Sequence, residues 1–349
     1  MGKTTEHLQH ARIAVLGAGL IGRKHVEVVA SYADLDAVID PDPASRDLAV
    51  QKNAPWFPDL ASYLDGNRPD GIIVATPNQM HLPHGKACID AGIPILVEKP
   101  LADSAQDARS LAELSDAASV PILVGHHRRH SQVAQAAKRS ITAGQLGAVV
   151  AVHAQFWLHK PASYFETRWR TEKGGGPTFI NLIHDIDLLR FFCGEIVSVQ
   201  AMASHAIRGF DVEDTSVAIL RFQSGALGTI TISDTIAAPW SWELTSGENP
   251  IYPRTQQSCY QIGGTLGSLS IPDLTLWQPI GENSWWEPIA PTELSVAQND
   301  PMVAQFLHFL DILQTGCPPL VTAIDGARNI AVLDAICRAA ASGPVDLET

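Results

Sequence analysis

A glycine-rich segment near the start of the chain has the residue types that bind a dinucleotide phosphate. The GxGxxG sequence Gly17–Gly22 lies between an apolar run, Arg12–Leu16, and a helical stretch, Leu20–Ser31. Glycines permit a tight turn and close approach of the backbone to a pyrophosphate, while the start of a helix offers free N–H groups and a positive dipole end. The alternative is an ordinary glycine-rich turn, because the pattern alone is unspecific. The predicted cofactor contacts are Gly17, Gly19, Leu20, Ile21 and Gly22.

An acidic residue follows at the distance that a nucleotide-binding unit requires. Asp40 ends the second apolar run, roughly 20 residues after the glycines, where a carboxylate binds the hydroxyls of an adenosine ribose. The same carboxylate would repel the 2′-phosphate of NADP, and residues 41–43 supply no compensating charge. Arg46 is the nearest cation and is the alternative phosphate ligand. The sequence therefore predicts NAD as the cofactor, with NADP less favoured.

Polar residues also close the next two apolar runs. Thr76, Asn78 and His81 follow the third run, and Glu98 and Lys99 end the fourth. Because strand ends of an open α/β sheet face the ligand crevice, we predict that all five contact the cofactor and that Lys99 also contacts the substrate. A lysine at the edge of a buried strand is costly without a role or a partner. The alternatives are a proline-terminated turn after Thr76 and a salt bridge between Lys99 and Glu98.

A third cluster follows the glycine run at residues 174–176. Asn181, His184 and Asp187 are spaced three apart on a helical stretch and therefore share one face. A histidine with polar neighbours on its face can act as a general base with an orienting partner. The alternative is a histidine that packs on the helix surface or in the core. We predict His184 as the proton acceptor, Asn181 as a substrate contact and Asp187 as a candidate to orient His184.

Several further residues are candidates for binding an anion, a substrate or a metal. Arg128 could reach an anionic group, and Trp169 and Arg170 are predicted substrate contacts, with packing plus a salt bridge as the alternative. His126 and His130 stand one helical turn apart. Two arginines lie between them and no carboxylate or thiolate accompanies them, so we predict no metal site.

The elements that must position these residues form two series. In the first third of the chain, short runs rich in Ile and Val alternate with helical stretches, and this order predicts a doubly wound parallel sheet. Later, longer strand-like segments predict a mostly antiparallel sheet with a hairpin turn at residues 223–225. The predicted fold class is α/β, with a Rossmann domain at 1–128 and an α+β substrate-binding and oligomerisation domain at 129–349. The runs of the first series are Arg12–Leu16, Leu35–Ile39, Gly71–Ala75, Ile93–Val97 and Val120–Val124.

Composition and charge exclude several classes of partner. The 349 residues are 46% hydrophobic and 17% charged, which predicts a folded chain with room for two domains. A net charge of −13 disfavours nucleic acid and anionic membrane surfaces, and no apolar run is long enough to span a membrane. The five cysteines form no CxxC pair, which suits a reducing compartment. The polar start, Met1–His10, lacks the apolar core of a signal peptide, so a cytoplasmic location is expected.

In this order, the motifs resemble those of the glucose–fructose oxidoreductase and inositol dehydrogenase family, Gfo/Idh/MocA, over nearly the whole chain. The resemblance implies that Lys99, within an EKP motif, and His184 flank the reacting carbon. It also implies a sugar, cyclitol or related polyol as substrate. Inositol-type members carry an aspartate four residues before the histidine, where this chain has Ile180, and Asn181 lies about 100° further round the helix. The matching segments are Gly17–Gly22, Ala75–Asn78, Glu98–Pro100, Gly125–His130, Gly174–His184, Ile262–Leu269 and Asp325–Ile336.

The sequence thus predicts an NAD-dependent oxidoreductase that moves a hydride between the nicotinamide and a secondary alcohol or ketone. His184 would accept the hydroxyl proton and Lys99 would stabilise the alkoxide. One alternative is an NAD-dependent glycosidase of the same family. The other is a nucleotide-sensing binding protein without turnover, which would need neither Lys99 nor His184.

The resemblance also implies that the later sheet builds a homodimer or a homotetramer. Ile230, Ile232 and Ile236 stand at alternate positions, so we expect them on one face of this sheet. An apolar face of that kind should be covered by another subunit.

Overall fold

The computed structural model describes residues 10–347, which form two compact units. The first unit contains the residues up to His127 and also Pro301–Ile330, and the second contains Arg128–Asp300 and the residues from Ala331 onward. The division expected from the sequence placed everything after residue 128 in the second domain. It did not include the return of the chain to the first unit at Pro301–Ile330. The predicted polar start, Met1–His10, lies outside the described residues except for His10.

The first unit is built on a sheet of six parallel strands, in the order β3-β2-β1-β4-β5-β6 within the described residues. Three of these strands, β4 to β6, are short runs rich in Ile, Leu and Val that are buried along their whole length. Such runs suit a parallel sheet that is covered on both faces, because neither face needs polar side chains. The strands are β1 Arg12–Leu16, β2 Asp34–Ile39, β3 Trp56–Phe57, β4 Gly71–Val74, β5 Ile95–Val97 and β6 Ile122–Val124.

Helices alternate with these strands along the chain. Side-chain caps fix where two of them begin: the Asp59 carboxylate accepts from the Ser62 N–H, and the Ser104 hydroxyl accepts from the Asp107 N–H. Each cap satisfies a backbone donor that the first turn of a helix leaves unpaired. The helices are α1 Leu20–Tyr32, α2 Ser45–Gln51, α3 Leu60–Leu64, α4 His81–Asp90 and α5 Ala105–Ala118.

The second unit is built on a larger, mostly antiparallel sheet. Its nine described strands follow the order β14-β13-β12-β11-β7-β10-β9-β8-β15, and only the β7–β10 pair is parallel. The predicted hairpin at residues 223–225 is confirmed, since it joins β9 to β10. The strands are β7 Val149–Trp157, β8 Ile196–Ser204, β9 Thr215–Phe222, β10 Leu227–Ser233, β11 Tyr260–Gly264, β12 Ser268–Ile271, β13 Thr275–Pro279, β14 Ile289–Glu293 and β15 Val345–Asp346. The helices are α6 Gln132–Thr142, α7 Pro177–Ile180, α8 Leu182–Cys193 and α9 Trp242–Thr245.

Two closing helices explain why Pro301–Ile330 belongs to the first unit. They are α10 Pro301–Thr315 and α11 Ala323–Ser342, and the second unit begins again at Ala331, within α11. A Cβ on Gly71 would lie only 2.8 Å from the ring of Phe309, which is fully buried. Glycine at position 71 therefore leaves room for the Phe309 ring, so that α10 packs against the start of β4. A larger residue at this position would clash with the ring.

The prediction that Ile230 and Ile232 lie on the outer face of the second sheet was wrong. Ile230 and Ile232 are each 1% exposed and point to the covered side. Exposed apolar side chains of β9 and β10 instead include Val217, Ile219 and Leu227. Alternation located the two faces correctly but did not tell which one is covered, because both faces carry aliphatic residues.

Candidate active site

The glycine segment between β1 and α1 forms a cradle, and each of its three glycines is required or favoured for a different steric reason. Gly17 has φ +95°, and a Cβ on it would lie 2.5 Å from the carbonyl oxygen of Ala75. A Cβ on Gly22 would lie 1.9 Å from the carbonyl oxygen of Gly17. In contrast, no other described residue comes within 4 Å of a Cβ on Gly19, and Leu20 is 87% exposed. Open space therefore stands at the N-terminus of α1, where a pyrophosphate fits.

The carboxylate of Asp40 is fixed beside this cradle. Its Oδ2 accepts a hydrogen bond from the Ala18 N–H at 2.6 Å, and its Oδ1 accepts from the Asp42 N–H at 2.8 Å. Arg46, the alternative phosphate ligand, stacks over the ring of Trp56 at 4.1 Å. An open cradle with a carboxylate at its side fits the phosphates and ribose of NAD, and the negative charge disfavours a 2′-phosphate there.

His81 connects the two loops that follow β4 and β5. Its ring is buried, and its two nitrogens lie 2.8 Å from the carbonyl oxygens of Pro100 and Thr76. Burial lowers the pKa of His81. The Thr76 hydroxyl lies 3.2 Å from Nδ1 of His84, and Asn78 begins a short 3-10 turn. His81 therefore links the loops that carry Thr76 and Lys99, and its contact with the cofactor stays a prediction.

Glu98 and Lys99 stand at the carboxyl end of β5. Glu98 is buried, its Oε1 lies 2.7 Å from Nε2 of His25, and its Oε2 accepts from the backbone N–H of Lys99. Burial opposes ionisation of Glu98, yet the hydrogen bond and charge of His25 and the charge of Lys99 bring its pKa down to about 2. Lys99 is half-buried and precedes a cis proline. An ionised carboxylate therefore accepts a hydrogen bond from the backbone of Lys99.

Helix α8 of the second unit carries His184 and is buried on nearly every side. The polar residues that share one face of this helix are buried rather than exposed to solvent, and its charged residues have partners. Asp187 accepts two hydrogen bonds from the Arg129 guanidinium, at 2.9 and 2.7 Å. Arg190 pairs with Glu195 at 2.8 Å. His184 is 9% exposed. Asp187 is thus held in a buried ion pair, and its orienting role toward His184 stays a prediction.

Asp185, the next residue, belongs to a buried cluster of acids around one arginine. It accepts a hydrogen bond from the Tyr260 hydroxyl and lies 3.8 Å from Arg128, whose guanidinium also donates to Glu243 at 2.6 Å. Burial, aided by the charge of Glu243, raises the pKa of Asp185 to about 7 against the opposing effect of Arg128. Arg128, predicted as a substrate contact, is therefore engaged by carboxylates of its own chain.

The glycine run before α7 packs against the turn that carries Trp169 and Arg170. A Cβ on Gly175 would lie 2.3 Å from the carbonyl oxygen of Trp169. A Cβ on Gly176 would lie 2.3 Å from the carboxylate of Glu213, which accepts from the Thr178 N–H. At Gly175 the contact is with backbone, so only glycine allows this approach of the run to the turn that carries Trp169 and Arg170.

Two functional candidates were missed by sequence reasoning. Lys160, 7% exposed, follows β7 and donates a hydrogen bond to Oδ1 of Asn181 at 2.8 Å. The Asn181 carbonyl in turn accepts from the His184 N–H at 3.2 Å. A lysine just past the end of a long strand was the available signal, the same one that identified Lys99. His25 gave no such signal, because its partner Glu98 is far away in the sequence.

No metal site competes with this assignment in the part of the chain that the structure describes. Between residues 10 and 347, no three His, Cys, Asp or Glu side chains are grouped to hold a metal ion. His126 and His130, the two histidines for which the sequence predicted no metal, are both buried. Nε2 of His126 lies 3.1 Å from the Asn329 amide. Over the same residues, no helix combines the length and hydropathy that crossing a membrane requires.

Comparison with protein families matches both halves of the chain. Residues 11–126 match the model of an oxidoreductase family with an NAD-binding Rossmann fold, and residues 134–270 match the model of the GFO/IDH/MocA C-terminal domain. The two matched segments contain the glycine cradle and Lys99 in the first, and His184 and Lys160 in the second.

Three relatives are between a quarter and a third identical to the chain over the residues that align. The scyllo-inositol 2-dehydrogenase (NAD(+)) of Bacillus subtilis is 27% identical, over 97% of this chain and 96% of that enzyme. The 4-carboxy-2-hydroxymuconate-6-semialdehyde dehydrogenase of Sphingobium is 30% identical, over 64% of this chain and 71% of that enzyme. The rhizopine catabolism protein MocA of Rhizobium meliloti is 29% identical, over 53% of this chain and only 57% of that protein.

Solved structures share the whole architecture. The WlbA dehydrogenase from Bordetella pertussis, in complex with NADH and UDP-GlcNAcA, has a TM-score of 0.77 over 98% of this chain and 100% of its own, at 24% identity. At that identity the likeness establishes the fold. The predicted combination of a Rossmann domain with a mostly antiparallel second sheet is therefore confirmed.

Proposed function

Because the chain belongs to the Gfo/Idh/MocA family of NAD-binding oxidoreductases, we propose that it transfers a hydride between NAD and a secondary alcohol or ketone of a sugar, cyclitol or related polyol. The observation that supports the proposal is where the two predicted catalytic residues lie in the secondary structure. Lys99 follows Glu98, a buried and ionised carboxylate directly after β5. His184 lies in the first turn of α8.

The cofactor-binding residues in this proposal are those of the first unit. The N–H groups at the start of α1 would bind the pyrophosphate, and Asp40 would accept hydrogen bonds from the adenosine ribose. Thr76 and Asn78, after β4, would lie toward the nicotinamide. NAD supplies the hydride acceptor at its nicotinamide ring.

Proton transfer and charge stabilisation are the work of the protein. In the direction of oxidation, the imidazole of His184 takes the proton from the substrate hydroxyl as the hydride leaves the same carbon. The ammonium group of Lys99 stabilises the negative charge that develops on the oxygen. Glu98, held by His25, keeps an ionised carboxylate next to Lys99 in the sequence. In the direction of reduction, His184 returns the proton.

A screen of sugars, cyclitols and polyols with NAD and with NADP tests this proposal, followed as absorbance of the reduced nicotinamide. We expect at least one polyhydroxy compound to give net reduced cofactor, and NAD to be preferred. Release of free sugar from a glycoside without net NADH would show a glycosidase instead. Tight NADH binding with no turnover on any compound would favour the sensor.

We also propose that the protein forms a homodimer or homotetramer through the outer face of the nine-stranded sheet. Val217, Ile219 and Leu227 are 42%, 53% and 48% exposed on adjacent strands of that face. Apolar side chains clustered in this way are covered in most soluble proteins. Light scattering at micromolar concentration should give a multiple of the chain mass, and Ile219→Lys should lower it. A monomer mass for the wild type would contradict the proposal.

A cytoplasmic location is part of the same proposal. All five cysteines are free thiols, and three of them are buried. Free thiols persist in a reducing compartment.

A further inference from the structure

Three cations of the second unit, Lys160, Arg170 and Arg208, form a cluster that includes the buried carboxylate of Asp234. Lys160 and Arg208 both lie near Asp234, which is 2% exposed. Lys160 also lies within the electrostatic range of Arg170 and of a second carboxylate, Glu243. Arg208 holds this carboxylate at 2.7 Å through its Nε, and its Nη2 donates to the backbone carbonyl of Lys160 at 3.0 Å. The ammonium group of Lys160 stands further from Asp234, at 3.8 Å. Asp234 therefore pairs most closely with Arg208, and Lys160 and Arg170 are the two cations of the cluster that it does not hold at hydrogen-bond distance.

These two charges meet at one aromatic ring. The Lys160 ammonium lies 4.6 Å from the centre of the Tyr164 ring, and the Arg170 guanidinium lies 4.1 Å from it. Arg170 donates through Nη1 to the Tyr164 carbonyl at 2.8 Å. It makes no ion pair with any residue between 10 and 347, and within that range its Nε is buried without a hydrogen-bond partner. A buried donor of a charged group lacks its acceptor here, which is costly unless a ligand supplies one.

The cluster is joined directly to the helix that carries His184. Lys160 donates to the Asn181 side chain, and the Asn181 carbonyl accepts from the His184 N–H. Trp169, beside Arg170, is 52% exposed and offers an apolar face to a sugar ring. A substrate that reacts at His184 would thus have an aromatic surface and two cations within the same unit.

We infer that the substrate carries a carboxylate, as a sugar acid or a polyhydroxy acid does, and that Lys160 and Arg170 bind it while a hydroxyl-bearing carbon reacts at His184. This inference rests on the proposed function. A guanidinium matches the two oxygens of a carboxylate in its planar geometry, and the buried ammonium adds a second charge-assisted hydrogen bond. Burial lowers the pKa of Lys160 to about 8, and a bound anion would raise it again.

Calorimetric binding in the presence of NADH tests the inference, with D-glucuronate against D-glucose and D-gluconate against sorbitol as probes. A charge-assisted hydrogen bond supplies about 10–100-fold in affinity, so at least one acid should bind that much more tightly than its neutral counterpart. Lys160→Met and Arg170→Met should each remove most of this preference, while Arg170→Lys should keep part of it. Arg139→Met, an exposed change of the same charge, is the matched control and should leave the preference intact.

Equal affinity for the acids and the neutral compounds, or no binding of either acid, would overturn the inference. So would an equal loss in Arg139→Met, since that result would mean that net charge alone attracts the acids. Turnover with NAD on the same probes separates the two proposals. An acid that binds through Lys160 and Arg170 without being oxidised refutes dehydrogenation of that acid and retains the carboxylate site. Turnover on neutral sugars without any preference for acids retains the proposed function and overturns the inference.

Discussion

Glu98 and Asp185 are both buried carboxyl groups, and each is the sequence neighbour of a residue proposed to act in catalysis. In the first unit, burial opposes ionisation of Glu98, but the hydrogen bond and charge of His25 and the charge of Lys99 bring its pKa to about 2. In the second unit, burial raises the pKa of Asp185 to about 7, because the nearby Arg128 guanidinium is shared with Glu243 and offsets only part of the effect.

The number of cations per carboxylate decides this difference, since both groups are buried. The first unit fixes a permanent negative charge behind Lys99. The second unit keeps next to His184 a carboxyl group that holds a proton up to neutral pH. Similar burial therefore gives one group that only stabilises a charge and another that can titrate during function.

The largest expected effect is on catalysis. Lys99→Ala and His184→Ala should each lower turnover about 10²–10⁴-fold, because removal of a general base or of an alkoxide-stabilising group has that effect. Affinity for NAD, measured by calorimetry, should stay close to wild type in His184→Ala and should fall far less than turnover does in Lys99→Ala. Lys86→Ala and His205→Ala, at other sites of the two units, are the matched controls and should retain activity. Near-normal turnover in either active-site variant would remove that residue from the mechanism.

The fixed charge behind Lys99 should make Glu98→Gln strongly destabilising. The folded pKa of about 2 lies below the ordinary 4.5, so the carboxylate contributes stability above pH 4.5 that is lost as the pH falls toward 2. At pH 7 the loss should be on the order of 3 kcal/mol, seen as a lower melting temperature in calorimetry. Glu27→Gln, which removes only a surface pair with Lys52, is the control. Equal melting temperatures for the two variants would contradict the assignment.

The first unit should also lose cofactor discrimination when Asp40 becomes neutral. Asp40→Asn keeps an acceptor for the Ala18 N–H but removes the charge that repels a 2′-phosphate. The ratio of NAD to NADP affinity should fall about tenfold, which corresponds to roughly 1.4 kcal/mol. Asp42→Asn, two residues further on and exposed, should leave the ratio unchanged. Tighter binding of NADP than of NAD by the wild type would refute the role of Asp40.

The smallest effect is expected at Asp185. Its folded pKa of about 7 lies above the ordinary 3.8, so its stabilising contribution is complete at low pH and is lost as the pH rises through 7. At pH 5, Asp185→Asn should melt within about 2 °C of wild type, because the amide oxygen still accepts from Tyr260. The decline in stability between pH 5 and 8 should become shallower. Asp187→Asn, which breaks the pair with Arg129, should instead destabilise at every pH; equal behaviour of the two variants would contradict the comparison.

The sequence predicted the first unit better than the second, for physical reasons. A buried parallel strand is a continuous run of Ile and Val, and β1 lies where that signal placed it. In the second sheet both faces carry aliphatic side chains, so Ile230 and Ile232 were assigned to the wrong face. The pairs Glu98 with His25 and Lys160 with Asn181 join residues that are distant in the sequence, and only folding brings them together.

Transfer of a labelled hydride tests the central claim most directly. A substrate found in the screen would be prepared with deuterium on the carbon that bears the reacting hydroxyl, and the NADH formed would be examined by mass spectrometry. The account predicts one deuterium in each nicotinamide and an equal amount of ketone product. Unlabelled cofactor, or free sugar released while NAD stays oxidised overall, would contradict it.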